Sequence, residues 1–208
     1  MNPIRIALTK GRIEKDAVAL FEKMGADCSA LHQKGRKLIL PIGDGEIEAV
    51  LAKAADVITY VEHGVCDMGV VGKDTILEYG GSFYESIDLG FGKCRFVVAG
   101  LPGVNLYEGY SQKRIATKYP AVAQAYFQGK GVDVEIIRIE GSVELAPLLK
   151  LSDAIVDIVE SGDTLRENGL VVLEEVADIS ARLIVNAASM KMKKNAVREW
   201  IAAIKRVI

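Results

Sequence analysis

The sequence predicts an α/β protein of two small lobes, the second inserted in the first, with a cleft between them. Three observations predict it. Short apolar runs alternate with helical patterns along the whole chain, the signature of βαβ units in mainly parallel sheets. Two strands follow each other without a helix around residues 86–100, which marks a crossover into a second lobe. Two more do so around Val172 and Ile184, which marks the return. The expected lobes are 1–90 with 178–208, and 91–177. A chain of 208 residues accommodates two small domains at roughly 100–200 residues per domain or fewer.

Each element has a local reason. Residues 4–8 read as a buried strand, and Ile13, Ala17, Leu20, Phe21 and Met24 then recur at helical spacing until Gly25. Residues 37–42 read as a second strand, closed by the turn Gly43-Asp44-Gly45. Asp56 is placed to N-cap a short helix that stops at Gly64. Residues 67–71 form a strand, and Gly72 leads into a helix through Glu78. Strands are expected at 86–89, 95–100 and 114–117. Pro120 suits the first turn of a helix through Phe127. A strand at 134–139, a helix at 143–149, a strand at 154–158 and a short helix from Thr164 follow. Strands at 170–176 and 182–185 precede a final helix with Val197, Ile201, Ile204 and Ile208 on one face.

Composition excludes several classes. Half the residues are hydrophobic and 26% are charged, close to an ordinary globular share of ~25%. Lys and Arg number 26 against 28 Asp and Glu, so the net charge of −2 is no basic footprint for nucleic acid. No apolar run approaches the ~20 residues of a membrane span, and the N-terminus lacks the apolar core of a signal peptide. The three cysteines, Cys28, Cys66 and Cys94, are odd in number and outside any CxxC or Cys/His cluster, which predicts reduced thiols in a cytoplasmic protein. His32 and His63 stand alone and read as structural.

An anionic ligand must then be held by local chemistry. Four strand-to-helix junctions place glycine beside a cation or hydroxyl: Thr9-Lys10-Gly11-Arg12, Gly72-Lys73-Asp74, Glu140-Gly141-Ser142 and Ser161-Gly162-Asp163-Thr164. Ligands of open α/β sheets bind beyond the carboxyl ends of strands, where free N–H groups favour phosphate. Four such turns point to a ligand with several phosphates. No Walker A, GxGxxG or GxSxG motif is present. The richest stretch is 153–165, in which a buried strand delivers Asp157 and Glu160 into a glycine turn with Ser161, Thr164 and then Leu165. Carboxylates accept from ribose hydroxyls, while hydroxyls and N–H groups donate to a terminal phosphate, so a ribose 5-phosphate meets both needs. Asp163 is the discordant residue, because its charge repels phosphate unless it points outward.

These segments together resemble the short form of the ATP phosphoribosyltransferases. The resemblance also takes in Gly35-Arg36-Lys37-Leu38, residues 56–64, 67–74, 114–120 and 140–147, Asn168-Gly169-Leu170 and residues 178–186, and so spans essentially the whole chain. It implies a fold similar to periplasmic binding proteins, with the active-site cleft between the lobes. It implies transfer of the 5-phosphoribosyl group of phosphoribosyl pyrophosphate to N1 of ATP, opening histidine biosynthesis. Residues 160–165 resemble the loop for the donor 5-phosphate, with Asp157 near the ribose. Lys10, Gly11, Arg12 and Arg36 are implied to line the cleft beside nucleotide and pyrophosphate. Gly72, Lys73, Glu140, Gly141 and Ser142 are further candidates for the phosphates. Mg2+ is expected through substrate phosphates, with no protein-bound metal.

Two positions depart from the family pattern. Lys150 stands where a glycine is usual, and Lys53-Ala54 stands where many relatives have arginine-proline, which keeps a cation at Lys53 for the leaving group without the bidentate fork. The resemblance also implies a hetero-oligomer with a regulatory subunit similar to a histidyl-tRNA synthetase, and a homodimer of catalytic chains. Two other readings stay open on the residues: a phosphoribosyltransferase acting on a free base, and a two-lobed ligand-binding module without catalysis.

Overall fold

The computed structural model describes residues 3–109 and 111–208. The chain divides into two compact units, one running to Gly92 and resuming over Ser180–Ile208, the other being the continuous Lys93–Ile179. The discontinuous unit begins with β1 (Ile4–Thr9), α1 (Arg12–Lys23), α2 (Ser29–His32), β2 (Ile39–Ile42), β3 (Ile47–Ala52), α3 (Ala54–Glu62), β4 (Met68–Gly72), α4 (Lys73–Tyr79) and β5 (Phe83–Asp88). The inserted unit holds β6 (Cys94–Gly100), β7 (Lys113–Thr117), α5 (Pro120–Gly129), β8 (Val134–Arg138), α6 (Leu145–Leu148), β9 (Ala154–Val159), α7 (Asp163–Glu167) and β10 (Val171–Ile179). The chain then returns through β11 (Ala181–Asn186), α8 (Ser189–Met192) and α9 (Lys194–Lys205).

The strand order is β2-β3-β1-β4-β11-β5 in the discontinuous unit and β10-β6-β9-β7-β8 in the inserted one. The sheets are mixed, which corrects the expectation of mainly parallel ones. Strands β1 and β3, β1 and β4, β7 and β8, and β7 and β9 pair in parallel. The other ladders among the described residues are antiparallel. The reason lies in the connections. A parallel pair needs a crossover long enough for a helix, whereas β2 and β3 form a hairpin and the strands at the two chain crossings follow one another directly.

The sequence reading passes over the strand β3 and the short helices α2 and α8. In β3, Ile47, Ala49 and Leu51 are buried and alternate with partly exposed Glu48 and Val50, a clean period of two. This strand takes up the chain ahead of α3, so Lys53 occupies the N-cap position and Asp56 falls within the first turn rather than capping it.

Both sheets are buried on both faces, which the strand alternation enforces. In the inserted unit Phe96, Val98, Ile115, Phe127 and Val156 pack on one face. Val97, Ala99, Ala116, Ile155, Leu165 and Leu170 pack on the other. In the discontinuous unit Ile6, Leu8, Met68, Val70 and Leu183 join α1 and α9, where Phe21 meets Trp200 edge-on at 5.2 Å. Ala7, Val71 and Ile184 face α3 through Val57, Ile58 and Val61. Buried Asp67 anchors the returning chain, accepting from the Arg5 N–H at 3.0 Å, Ser189 Oγ at 2.7 Å and Lys193 Nζ at 2.8 Å. Burial also pushes the Cys28 and Cys66 thiols up to about 11. No helix among the described residues is long and apolar enough to cross a membrane.

Lys150 sits in a recurring turn. After α1, α5 and α7 the same pair of backbone bonds closes the helix around Gly25, Gly131 and Gly169, each at positive φ. After α6 the Lys150 N–H donates to the Pro147 carbonyl and the Leu151 N–H to the Ala146 carbonyl, so Lys150 holds the left-handed position at φ +59. The turn therefore has the shape of the other three although the residue is not glycine, and a Cβ there costs about 1–2 kcal/mol. Lys150→Gly should stabilise the protein by about 0.5–1 kcal/mol after the flexibility of the unfolded glycine is counted, read as a higher denaturant midpoint at unchanged slope. Asp67→Ala should destabilise it by about 3 kcal/mol, since Lys193 and Ser189 lose their shared acceptor, measured the same way.

Candidate active site

The chemistry of the inserted unit gathers at the carboxyl end of β9. Ala154, Ile155 and Val156 are fully buried between β6 and β7, and the buried Thr117 Oγ1 donates to the Val156 carbonyl at 2.7 Å. The strand thus delivers Asp157 and the turn behind it from a fixed base. Gly162 turns the chain at φ +81 and ψ +8, a conformation open to glycine, and α7 starts at once. Asp157, Glu160, Ser161, Gly162, Asp163, Thr164 and Leu165 line one cavity of about 250 Å³. The whole predicted loop is therefore brought together.

Glu144 lines the same cavity and was not singled out as a site residue. It precedes α6 and belongs to a different strand-to-helix connection, so only the tertiary fold places it beside Asp157. Burial pushes the Asp157 carboxyl up to about 6, the Glu144 carboxylate adds to the rise, and the Ile158 N–H and the Lys118 ammonium oppose it. Within the turn Ser161 Oγ donates to Asp163 Oδ2 at 2.6 Å, and Arg166 pairs with the other oxygen of Asp163. Leu165 is buried and fastens the turn to the core.

In the discontinuous unit the parallel strands β3, β1 and β4 end in register, Thr9 beside Ala52 and Leu8 beside Val70. Lys10, Lys53 and Lys73 follow these three ends, so three cations leave one edge of the sheet where α/β proteins bind ligands. Lys10, Gly11 and Arg36 line a second cavity of about 270 Å³ with Glu14, Lys34 and Lys37. Glu14 is buried, accepts weakly from the Gly11 N–H at 3.4 Å, and pairs with Lys34. Arg12 opens α1 and Lys53 precedes α3; neither lines that cavity.

The remaining candidates are placed differently. Lys73 Nζ is committed to Glu85 at 2.6 Å. A Cβ on Gly72 would fall 2.0 Å from Asp74 Oδ1, so this glycine makes room for a carboxylate. Glu140 pairs with Arg138 at 2.8 Å on the surface, and Gly141 and Ser142 are exposed beside it without lining the β9 cavity.

Two mixed α/β units with glycine turns at their strand ends, one holding partly buried Asp157 and Glu144 beside hydroxyls, have the form of a protein that handles phosphorylated ligands. A family model described as HisG, ATP phosphoribosyltransferase, matches residues 53–206. An ATP phosphoribosyltransferase of Clostridium kluyveri is 63% identical over 198 residues, covering 95% of this chain and 90% of the relative. That of Clostridium acetobutylicum is 58% identical over 205 residues, covering 99% and 95%. Among solved structures, the ATP phosphoribosyl transferase (HisG:HisZ) complex from Thermotoga maritima matches with a TM-score of 0.83 and 36% identity over 98% of both chains. The chain belongs to the ATP phosphoribosyltransferase family.

The Asp157 carboxyl should titrate near pH 6 by NMR, and Glu144→Gln should lower that value. Because the folded chain holds this proton more tightly than the unfolded one, the group contributes stability below the ordinary carboxylate range near pH 3.8 and loses it as pH rises through about 6. Asp157→Asn should flatten the stability profile across that window, read by thermal melts at stepped pH.

Proposed function

We propose that the chain transfers the 5-phosphoribosyl group of phosphoribosyl pyrophosphate to N1 of ATP, with the β9 turn holding the donor. The product is phosphoribosyl-ATP, pyrophosphate leaves, and the reaction is the first step of histidine biosynthesis. The observation that supports the placement is the cavity in which Asp157 and residues 160–165 meet. Relatives at 55–63% identity carry the same activity in their names, and neither a free-base acceptor nor a non-catalytic module is favoured.

In this reading Ser161, Thr164 and the backbone N–H groups of the turn hold the 5-phosphate, and ionised Asp157 accepts from a ribose hydroxyl. The adenine N1 lone pair forms a bond to the anomeric carbon as the bond to the pyrophosphate oxygen breaks. N1 carries no proton, so attack needs no general base. Positive charge grows on the ribose and negative charge on the leaving group, and cations aimed at that group stabilise the transition state. Lys10, Arg12, Arg36 and Lys53 are assigned to the pyrophosphate and nucleotide phosphates, with Gly11 letting the backbone approach. Gly72, Lys73, Glu140, Gly141 and Ser142 are retained as secondary candidates, Lys73 on the condition that it leaves Glu85.

No group of three or more His, Cys, Asp or Glu among the described residues is placed to hold a metal ion. Mg2+ is ordinarily bound by one or two carboxylates together with substrate phosphates, and Glu144, Asp157, Glu160 and Asp163 are the carboxylates that line the proposed donor cavity. Mg2+ on the donor would draw charge from the leaving pyrophosphate. The Thermotoga maritima neighbour is a HisG:HisZ complex, which supports a hetero-oligomer with a regulatory subunit; that subunit's likeness to a histidyl-tRNA synthetase and a pairing of catalytic chains are proposed with it. The three free cysteines support a cytoplasmic location.

Ser161→Ala combined with Thr164→Ala should raise the KM for phosphoribosyl pyrophosphate by about 100-fold or more, the loss of two hydrogen bonds to a charged group at ~1.5 kcal/mol or more each, and leave the KM for ATP within about twofold. Steady-state kinetics with each substrate varied in turn decide it, and an unchanged donor KM removes the donor from this turn.

A further inference from the structure

An acid in a phosphate loop needs an explanation. Asp163 lines the same cavity as Ser161 and Thr164, and a phosphate monoester carries nearly two negative charges at neutral pH. Left alone, its carboxylate would oppose the ligand that the rest of the turn attracts.

The structure supplies a partner for it three residues on. One guanidinium nitrogen of Arg166 pairs with Asp163 Oδ1, and the other donates to the Ser161 carbonyl at 3.3 Å. That second nitrogen also lies 3.7 Å from where a Cβ on Gly162 would stand, so the guanidinium spans the turn from Ser161 to Asp163. Lys118, the cation that acts on Asp157, is a separate influence on a separate carboxylate. Arg166 and Asp163 are 68% and 61% exposed, and exposed pairs of this kind contribute little to folding. The fork of an arginine therefore has more to offer the loop's electrostatics than the protein's stability.

We infer that Arg166 is a positioning residue for the donor: it offsets Asp163, so that a turn containing an acid still binds a phosphate. The inference rests on the β9 turn being the donor site. It follows that Asp163 and Arg166 act on the donor in opposite directions. Removing the guanidinium exposes the donor to an uncompensated carboxylate, and removing the carboxylate as well relieves it.

Arg166→Ala, Arg166→Lys, the pair Asp163→Asn with Arg166→Ala, and the Ser161→Ala with Thr164→Ala variant would be assayed side by side in the full chain, with its regulatory subunit present. Arg166→Ala should raise the donor KM by about 3- to 10-fold, the scale of one screened surface charge, and leave the ATP KM within about twofold. Arg166→Lys should recover most of the loss, because it keeps the charge, and adding Asp163→Asn to Arg166→Ala should lower the donor KM again. A donor KM unmoved by Arg166→Ala, or no relief on adding Asp163→Asn, overturns the inference while the hydroxyl variant still reports on the loop. If the hydroxyl variant leaves the donor KM unchanged, the loop is not the donor site and the inference falls with it.

Discussion

The burial of β9 is the constraint on which the inserted unit depends. The strand lies between an antiparallel neighbour and a parallel one, and its first three residues have no contact with solvent. A one-residue slip would turn every side chain to the opposite face, moving Ile155 into the layer of Phe96 and Phe127 and pointing Asp157 elsewhere. The apolar alternation that builds two separate cores also aims the carboxylate. Packing and chemistry are thus set by one register, and the turn from Glu160 to Leu165 inherits its position from it.

Charge is handled locally in both units. A chain with net charge −2 has no global field to draw in polyphosphates, so each potential anion site must assemble its own donors. The discontinuous unit does this by ending three parallel strands in register, each followed by a lysine. The inserted unit offers a turn of hydroxyls and N–H groups beside the partly buried Asp157. Several of these groups are already engaged in ion pairs: Lys73 with Glu85, Arg166 with Asp163, Lys34 with Glu14. In the proposed reading a phosphate reaching Lys73 or Lys34 would exchange partners with Glu85 or Glu14, whereas Arg166 keeps Asp163.

Much of this was legible in the sequence. Strands and helices with a strong period and a glycine or proline at their ends were found within a few residues, and the richest polar turn was recognised from its own composition. What escaped depended on distant chain. β3 carries a period-two pattern, yet it follows a turn and precedes a helix so closely that its alternation was absorbed into its neighbours. The direction of the strands is invisible to local pattern, because Leu183 reads the same whether its neighbour runs with it or against it. Glu144 is a helix-flanking acid in the sequence and becomes a neighbour of Asp157 only through the sheet order β9-β7-β8. The discordance of Asp163 was visible, but its resolution by Arg166 needed the turn's geometry.

The place of β11 has a consequence for how the protein is made. This strand, near the end of the chain, lies between β4 and β5, which are synthesised long before it. The inserted unit has all its strands in one continuous stretch and can complete its sheet while the ribosome is still at work. The other unit cannot. Until β11 emerges, β4 and β5 each present an open edge, the kind of surface on which strands of separate chains join. The nascent protein therefore carries a gap in its larger sheet from the time β5 is made, and β11, synthesised after every other strand of that sheet, is the one that closes it.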